Sequence, residues 1–461
     1  MLAIILSILI VLAGITVLIL LRRRAPYLAQ LNAAVQNLFQ TQFCGVANVD
    51  SRSVNNGPIW KRHYMPPCTN DNQEDFWLNG NMLETLANYT MAGGSDKHVP
   101  QMFQAMFAAP HTLDQLLYGW NGCWNDDRSW WANAFVSIYE SDPGRYPDAL
   151  KWATAIFNNI YQGSFNQVTC DARTFTTTWW QLDPNDPTGK ATYRNCITNA
   201  LFCQMAWRLG KHHGYSGVYE DVLRKTSDFL LYMYDAQNAL MFDGMDQACK
   251  LTAKYFTYNQ GICLFNFLVL YELMGDARFR AMSFAVVKRM TTLVVAAANC
   301  NLDVAARQDC IGNAGGDQKV CESHAECCFN NSFPNTLAPY CYKKDQSDLF
   351  HVVMDGTLIF REGEGGNDMN RDGSAPAFKG VFCRYLGYWV ARVGDLSLSE
   401  DERAILGGAR AFLKANANWV AANQSDAYSF YWSFKQGIKL PADTISTAST
   451  ISALDLFLSV V

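Results

Sequence analysis

The sequence predicts an all-α fold, an (α/α)6 toroid of about twelve helices, and three observations support this prediction. After residue 25, apolar residues recur at positions i, i+3, i+4 and i+7 in one segment after another, which is typical of amphipathic helices. Glycine or proline interrupts this pattern at Gly93-Gly94, Pro143-Gly144, Gly210 and Gly275. No convincing run of strands separates the helical segments. Helices paired as hairpins are therefore expected to form an inner, mostly buried ring and an outer, amphipathic ring.

The apolar periodicity also predicts where the helices lie. They are expected near residues 28–41, 73–92, 98–118, 126–141, 145–161, 190–210, 215–235, 257–275, 277–298, 377–394, 401–421 and 445–460. Four of them mix aromatic residues with amides and are candidates for the inner ring, namely 126–141, 190–210, 257–275 and 377–394. A toroid leaves a cleft where its inner helices begin, so we expect the functional site there.

The N-terminus predicts membrane attachment. Residues 1–21 are an unbroken apolar run that, as a helix, reaches about 30 Å, one hydrocarbon thickness. We interpret residues 1–24 as a transmembrane anchor or an uncleaved signal; a cleaved signal peptide is the alternative. The three arginines at 22–24 favour keeping the following chain cytoplasmic. The rest of the chain, residues 25–461, is expected to form one helical domain.

The cysteines indicate an oxidising compartment. Six of the fifteen cysteines lie close together, at Cys300, Cys310, Cys321, Cys327, Cys328 and Cys341. We interpret residues 299–347 as a Cys-rich insertion held by disulfides, which persist in the secretory pathway and outside the cell. Zinc is the alternative, since Cys321, His324 and Cys327 have ligand-like spacing. The domain is therefore expected to be lumenal or extracellular, either membrane-anchored or secreted.

The remaining cysteines and the sequons add less. Four cysteines fall in helical patterns and are expected to be buried thiols, namely Cys196, Cys203, Cys263 and Cys383. Three N-x-S/T triplets, which begin at Asn88, Asn330 and Asn423, fit a secreted glycoprotein.

Charge and composition exclude several function classes. The net charge of −5 and the absence of a basic stripe argue against nucleic-acid binding. Residues 368–373 resemble the opening of a calcium loop, but the twelfth position is Lys379 where a bidentate Glu is needed. No metal and no cofactor is therefore predicted, and a monomer is expected.

Asp126 and Asp127 are the strongest candidates for chemistry. They follow Asn125, a good N-cap residue, so they are expected in the first turn of a helix. Acidic residues in that position can simply complement the helix dipole. Here, however, Trp130 lies four residues after Asp126, and Trp131 lies four residues after Asp127. Both carboxylates are therefore expected above an aromatic helix face that is buried.

The spacing of these carboxylates suits a glycosidase. Retaining enzymes hold two carboxyl groups about 5–5.5 Å apart, which neighbouring residues at a helix start can provide. Two carboxylates this close do not ionise together easily. One is pushed to a higher pKa and can act as an acid, while the helix N-terminus keeps the other ionised as a nucleophile.

Four ordered sequence blocks carry a resemblance. They are Asn125-Asp126-Asp127 with Trp130-Trp131, Thr178-Trp179-Trp180 with residues 193–200, residues 257–261 with 271–276, and residues 378–386. Together they cover about residues 73–461 and make the sequence similar to glycoside hydrolase family 76, the endo-α-1,6-mannanases and related wall-modifying transglycosidases. The resemblance implies an (α/α)6 catalytic domain over 25–461 that retains configuration on α-1,6-linked mannose chains, with α-mannan as its oligo- or polysaccharide partner.

The resemblance also implies roles. It makes Asp126 the nucleophile and Asp127 the general acid/base of an endo-α-1,6-mannosidase, although the two roles could be exchanged. A mannan transglycosidase that remodels cell-wall or surface glycans and a non-catalytic glycan-binding relative remain alternatives. Three features depart from the family pattern: Arg128 directly after the aspartates, the Cys-rich insertion and the membrane anchor.

Position and chemistry predict the substrate-binding residues. Aromatic faces can stack on sugar rings, although the same side chains can also serve as core packing, and buried amides need partners that sugar hydroxyls can supply. The candidates are Trp124, Trp179, Trp180, Asn195, Asn199, Tyr258, Asn259 and Gln260. Lys379 and Arg384 are instead expected to pair with acidic groups.

Overall fold

A computed structural model of the chain describes most of the helical domain. The described residues are 27–47, 57–60, 76–108, 113, 117, 124–170, 173–181, 192–252, 254–292, 310, 318–323, 327–329, 341–343, 351–354, 357–360, 377–422 and 447–461.

The described part is mostly helical. In chain order the helices are α1 (27–41), α2 (Phe76–Met91), α3 (His98–Ala108), α4 (Asn125–Ser141), α5 (Pro147–Gly163), α6 (Cys196–His213), α7 (Val218–Tyr232), α8 (Thr257–Met274), α9 (Ala277–Thr291), α10 (Gln318–Glu322), α11 (Phe378–Val393), α12 (Glu400–Ala422) and α13 (Thr447–Leu458). Except for the short α10 and for α6, each begins within three residues of the start of a predicted helix.

Six of these helices form a closed inner ring. Helix α2 packs on α4, α4 on α6, α6 on α8, α8 on α11, α11 on α13, and α13 returns to α2. The ring helices are buried almost all round, as in α6, where the first fifteen residues are all buried. Close approach requires glycine at one crossing, because a Cβ on Gly380 would lie 2.3 Å from the Ser452 Cα. Four of the six, α4, α6, α8 and α11, are the helices that the sequence predicted for the inner ring, whereas α2 and α13 were not among those candidates.

The remaining long helices lie outside the ring. Helix α5 packs between α4 and α6, α7 on α6, α9 on α8, and α12 on α11 and α13. Helix α3 packs beside α4, where the Phe107 ring contacts Phe135. Helix α1 lies beside α13 and α2, since the Tyr27 ring contacts Phe457 of α13 and Tyr89 of α2 donates a hydrogen bond to Asn32. The N-terminal helix therefore closes the outer layer next to the C-terminal one.

A buried charge network joins five of the six inner helices. The Arg384 guanidinium contacts Glu84 at 2.8 Å and Asp455 at 2.7 Å. Arg208 contacts Glu84 at 3.3 Å and Glu140 at 2.6 Å. The expected pairing of Arg384 with acidic groups is confirmed, and the network links α2, α4, α6, α11 and α13 across the centre of the ring.

Short strands correct the expectation that no strands separate the helices. The strands are β1 (Phe43–Ala47), β2 (Gly57–Trp60), β3 (Phe165–Cys170), β4 (Arg173–Thr178), β5 (Arg194–Asn195), β6 (Tyr234–Asp235), β7 (Leu240–Met241), β8 (Gly244–Met245), β9 (Leu251–Thr252), β10 (Cys327–Phe329), β11 (Cys341–Lys343), β12 (His351–Met354) and β13 (Thr357–Phe360).

These strands lie in the connections between helices. They pair antiparallel as β1–β2, β3–β4, β5–β8–β9, β6–β7, β10–β11 and β12–β13. The start of the helix predicted at 190–210 is wrong for this reason, because residues 194–195 are the strand β5 and α6 begins at Cys196.

Disulfides are present, as the cysteine content predicted. Cys310 is bonded to Cys327 and Cys321 to Cys341, within the Cys-rich segment 299–347. The sulfurs of Cys321, Cys327 and Cys341 lie within 4.8 Å of one another, but all three are bonded in disulfides and are not free to ligate zinc.

A further disulfide was not anticipated. Cys170 at the end of β3 is bonded to Cys249, in the turn between β8 and β9. It joins the hairpin that leads to Trp179 and Trp180 to the segment after β8. The four predicted buried thiols are free and buried.

Other predictions meet the structure only in part. No described helix combines the length and the apolarity that crossing a membrane requires. Residues 1–24, the calcium-like loop 368–373 and the sequons at Asn330 and Asn423 lie outside the described residues. Asn88 lies on α2, where its amide donates to the Tyr388 hydroxyl at 2.6 Å.

Candidate active site

The site is built around the start of α4. The N-cap is Trp124, in an extended conformation, and α4 begins at Asn125, so the prediction of Asn125 as N-cap is wrong by one position. The cause is a backbone pairing: Trp124 forms an antiparallel bridge with Gln181, and the Asn125 N–H donates to the Trp180 carbonyl at 2.8 Å. The aspartates still lie in the first helical turn, as predicted.

Asn125 links the start of α4 to the segment that carries Trp179 and Trp180. Its amide donates to the Trp179 carbonyl at 2.7 Å, and its side-chain oxygen accepts a hydrogen bond from Arg128. The buried Arg128 guanidinium also donates to Asn159 of α5 at 2.6 Å. Arg128 therefore anchors the start of α4 to its outer helix and to the segment that carries the two tryptophans.

Asp126 is held in a fixed orientation. Its carboxylate accepts hydrogen bonds from the Trp180 indole N–H at 2.9 Å and from the Asp127 backbone N–H at 3.2 Å, and also from the Asn195 side chain. Burial raises the pKa of Asp126 to about 7, and these hydrogen bonds hold it below the value that burial alone would give. One carboxyl beside a second one therefore keeps its proton close to neutral pH.

The helix below the carboxylates is buried, as predicted. Trp130 is 3% exposed and Trp131 is 1% exposed. The Trp131 indole donates to the Phe76 carbonyl at 2.9 Å, and its ring stacks on Phe76 with centroids 4.8 Å apart. The start of α4 is therefore packed against α2 through these aromatic rings.

An aromatic wall stands beside Asp126. The rings of Trp124 and Trp180 have centroids 4.4 Å apart, and Trp180 contacts Tyr193 at 5.7 Å. Each of these three residues is half-buried. Trp179 is half-buried as well, but its indole nitrogen is buried without a hydrogen-bond partner among the described residues.

The two predicted asparagines of α6 differ in what they contact. Asn195 caps α6 by accepting from the Thr198 N–H, and its side chain bonds to Asp126. The Asn199 side-chain oxygen accepts a hydrogen bond from the Thr178 N–H at 2.8 Å, and its amide nitrogen donates to the Thr178 carbonyl at 3.1 Å. Asn195 thus lies at the carboxylates, whereas Asn199 fixes the strand that leads to Trp179 and Trp180.

The residues at the start of α8 divide in the same way. Gln260 is buried and exchanges two hydrogen bonds with the Met241 backbone, at 2.7 and 3.0 Å. The buried Asn259 donates to Asp243 at 3.3 Å, and its carbonyl oxygen has no partner among the described residues. Tyr258 is half-buried and packs edge-on against Phe378, with ring centroids 4.3 Å apart.

Asp243 is a residue that the sequence did not reveal. Its carboxylate accepts hydrogen bonds from the Tyr193 hydroxyl at 2.7 Å and from Asn259. Burial raises the pKa of Asp243, and the hydrogen bond from Tyr193 opposes that shift. The next residue must be glycine, because a Cβ on Gly244 would lie 2.7 Å from the Arg194 carbonyl oxygen.

The helix termini complete the electrostatics. Asp126, Asn195 and Asn259 belong to the starts of α4, α6 and α8, neighbours in the inner ring. Helix N-termini carry partial positive charge, which favours an ionised carboxylate. The arrangement offers one carboxyl that retains a proton near neutrality, a second carboxyl next to it, and a rim of aromatic rings and amides.

Comparison with known proteins gives a consistent picture. The sequence profile of glycosyl hydrolase family 76 matches residues 56–349, more than half of the chain. The mannan endo-1,6-alpha-mannosidase DFG5 of Saccharomyces cerevisiae is 29% identical over 158 residues. That match covers 32% of this chain and 33% of the yeast protein, so the chain spans about a third of the length of this curated relative.

Solved structures share the fold. The alpha-1,6-mannanase of Salegentibacter sp. superposes with a TM-score of 0.60 at 12% identity, over 95% of this chain and 98% of that one. An inactive variant of that mannanase, in complex with alpha-1,6-mannotriose, superposes equally well at 13% identity, over the same shares of the two chains. Dfg5 of Chaetomium thermophilum, in complex with glucosamine, gives 0.52 at 16% identity, over 84% of this chain and 80% of that one. At these identities the likeness concerns the fold.

Proposed function

Since the chain belongs to glycosyl hydrolase family 76, we propose that it is an endo-α-1,6-mannosidase that cleaves α-1,6-linked mannose chains with retention of configuration. The observation that carries the proposal is the pair of neighbouring carboxyl groups at the start of α4, where burial raises the pKa of Asp126 to about 7 next to Asp127. The substrate class is supported by the yeast relative, which is named for this activity, and by the mannotriose bound to the inactive mannanase variant.

The proposed reaction has two steps. The proton of the singly protonated pair is shared between the two coupled carboxyls, and in the reactive form Asp127 carries it while Asp126 is ionised. Asp126 attacks the anomeric carbon while Asp127 donates its proton to the departing glycosidic oxygen, which leaves a mannosyl–Asp126 ester. Asp127, now ionised, takes a proton from water, and the resulting hydroxide displaces Asp126. The hydrogen bonds from Trp180 and Asn195 favour Asp126 as nucleophile, because they fix its orientation and stabilise its ionised form.

The sugar at the cleavage point is proposed to lie between the aromatic wall and Asp243. Trp124 and Trp180 offer ring faces for stacking. Asp243 and the free carbonyl oxygen of Asn259 accept hydrogen bonds from sugar hydroxyls. Tyr258 borders the same region. The segments that carry these groups are positioned by three further residues, Asn199, Gln260 and Trp179.

Transfer to a second sugar is the alternative outcome of the same chemistry. If a sugar hydroxyl replaces water in the second step, the enzyme is a mannan transglycosidase. A non-catalytic glycan-binding role is the third possibility, and the intact aspartate pair argues against it. The proposed location is the secretory pathway, with an anchor at residues 1–21, and it is supported by the described disulfides.

Product analysis tests the function directly. On linear α-1,6-mannan we expect new reducing ends that carry the α-anomer when proton NMR spectra are recorded within the first minutes, before mutarotation. Products longer than the substrate would assign the protein as a transglycosidase instead. A first-formed β-anomer would contradict retention, and binding without any turnover would contradict an enzymatic role.

The hydrogen bond from Trp180 predicts a specific pH effect. The singly protonated pair is the active form, so kcat/KM should fall as the pH rises through about 7. Trp180→Phe removes a donor that stabilises the ionised form, so the pair keeps its proton longer and this descending limb should move up by about 0.5–1 pH unit.

Trp179→Phe is the matched control, because the Trp179 indole nitrogen has no partner among the described residues. In that variant the descending limb should stay where it is in the wild type. Equal limbs in the wild type and in both variants would contradict the role of Trp180.

A further inference from the structure

Two buried thiols touch between neighbouring helices of the inner ring. Cys196 is the first residue of α6, and Cys263 lies in the second turn of α8. Both residues are 0% exposed, and their sulfur atoms are 3.4 Å apart. A disulfide bond is about 2.05 Å long, so the sulfurs are in contact and need to approach by little more than 1 Å to bond.

Other cysteines of the protein are bonded in disulfides, which indicates that it folds under oxidising conditions. Three disulfides have both of their cysteines in the described part of the chain, and Cys44 is disulfide-bonded as well. Thiols persist next to one another in a reducing compartment, but in an oxidising one a contacting pair is a substrate for disulfide formation. Cys383, also buried and free, offers a comparison, since it has no sulfur contact among the described residues.

We propose that Cys196 and Cys263 form a disulfide during oxidative folding. One thiolate attacks a dithiol oxidoreductase in its disulfide form, which releases one thiol of that protein and gives a mixed disulfide. The second cysteine, as its thiolate, displaces the oxidoreductase, which leaves as a dithiol. Overall, two cysteine thiols lose two protons and two electrons to the disulfide of the oxidoreductase, which becomes the dithiol.

The bond has to form before the ring closes. Burial raises the pKa of the Cys263 thiol well above its usual range, and the reactive species is the thiolate. Neither cysteine is accessible in the folded domain. Once formed, the bond is equally inaccessible and should resist mild reductants that reduce exposed disulfides.

The position of the pair connects it to the proposed site. The Cys196 N–H donates to the Asp243 carbonyl at 2.6 Å, directly after Asn195, which bonds to Asp126. Cys263 lies one helical turn beyond Asn259, which donates to the Asp243 carboxylate. A covalent link between α6 and α8 would therefore fix the distance between the two helix starts that bond to Asp243.

Peptide mapping of the full-length protein, expressed through the secretory pathway, tests the bond. The protein is denatured without reductant, treated with iodoacetamide and digested. We expect a peptide pair joined through Cys196 and Cys263, which separates on reduction, while Cys383 carries the alkyl label. Alkyl labels on both Cys196 and Cys263 would overturn the proposal, and so would a disulfide of either one with another cysteine.

Substitutions give an independent readout. If the bond exists, Cys196→Ala, Cys263→Ala and the double variant should lower Tm by similar amounts, of at least about 2 °C, because each removes the same cross-link. Cys383→Ala measures the cost of deleting a buried thiol alone. Additive losses in the double variant, each no larger than that of Cys383→Ala, would overturn the proposal.

Discussion

Asp126→Asn and Asp127→Asn are each expected to lower kcat on α-1,6-mannan by at least about 10^4-fold, the largest functional effect that we predict. Asparagine keeps the size of the side chain but provides neither an effective nucleophile nor a carboxyl proton. The two steps of the proposed reaction each need both groups, so neither variant can complete a turnover. Initial rates of reducing-end release measure the loss, and an unchanged Tm within about 2 °C shows that the fold is intact.

A matched control separates catalysis from helix stabilisation. Asp148 also lies in the first turn of a helix, α5, but it is exposed and pairs with Lys151 at 2.8 Å. Asp148→Asn removes the same favourable interaction with a helix dipole, worth about 0.3–1 kcal/mol, and should leave kcat unchanged. If either variant of the pair kept more than a tenth of the wild-type kcat, the catalytic assignment would fail.

Azide distinguishes the two carboxylates. With a mannoside that has a good leaving group, Asp127→Ala should still form the ester on Asp126, and azide should then release α-mannosyl azide. In Asp126→Ala, azide can take the place of the missing nucleophile and should give the β-azide instead. The reverse pattern would exchange the two roles, which the sequence alone left open.

The sequence was sufficient for four helices of the inner ring and for the position of the two aspartates in a first helical turn. Helical periodicity is a property of each segment by itself, so it predicts α4, α6, α8 and α11 without knowledge of their neighbours. The aspartates above Trp130 and Trp131 are of the same kind, because one helix places all four. Both predictions need only spacing within a single element.

Contacts between elements were beyond the sequence. Asp243 lies in a turn without any periodic pattern, and it reaches the site because β8 pairs with β5 next to Asn195. Asn199 and Gln260 were expected to meet sugar hydroxyls, and a buried amide does need partners. Spacing cannot tell whether the partner is a sugar or a strand end, and here both amides bind backbone groups of neighbouring segments.

Arg384→Met is expected to destabilise the domain by about 3–5 kcal/mol, the largest effect on stability that we predict. The Arg384 guanidinium lies between Glu84 and Asp455, whose side chains are both 0% exposed. Arg208 still neutralises Glu84 in the variant, but Asp455 loses its ion pair with Arg384 while it stays buried. Methionine offers apolar contacts but neither a charge nor a hydrogen bond to the Asp455 carboxylate. The free-energy cost of leaving this buried charge without its ion-pair partner is larger than the stability that the ion pair contributed.

Chemical denaturation measures the loss, with Arg278→Met as control. Arg278 forms an exposed ion pair with Asp276, so its replacement should leave the free energy of unfolding almost unchanged. Adding Asp455→Asn to Arg384→Met should restore part of the stability, since no charge is then left unpaired. Burial already raises the pKa of Asp455 in the wild type, and Arg384 opposes that shift. Without Arg384 the folded-state pKa of Asp455 rises further above its unfolded value, so the loss of stability relative to the wild type should shrink at acidic pH and grow towards neutrality. Equal losses for Arg384→Met and Arg278→Met would show that the inner ring does not depend on its central charges.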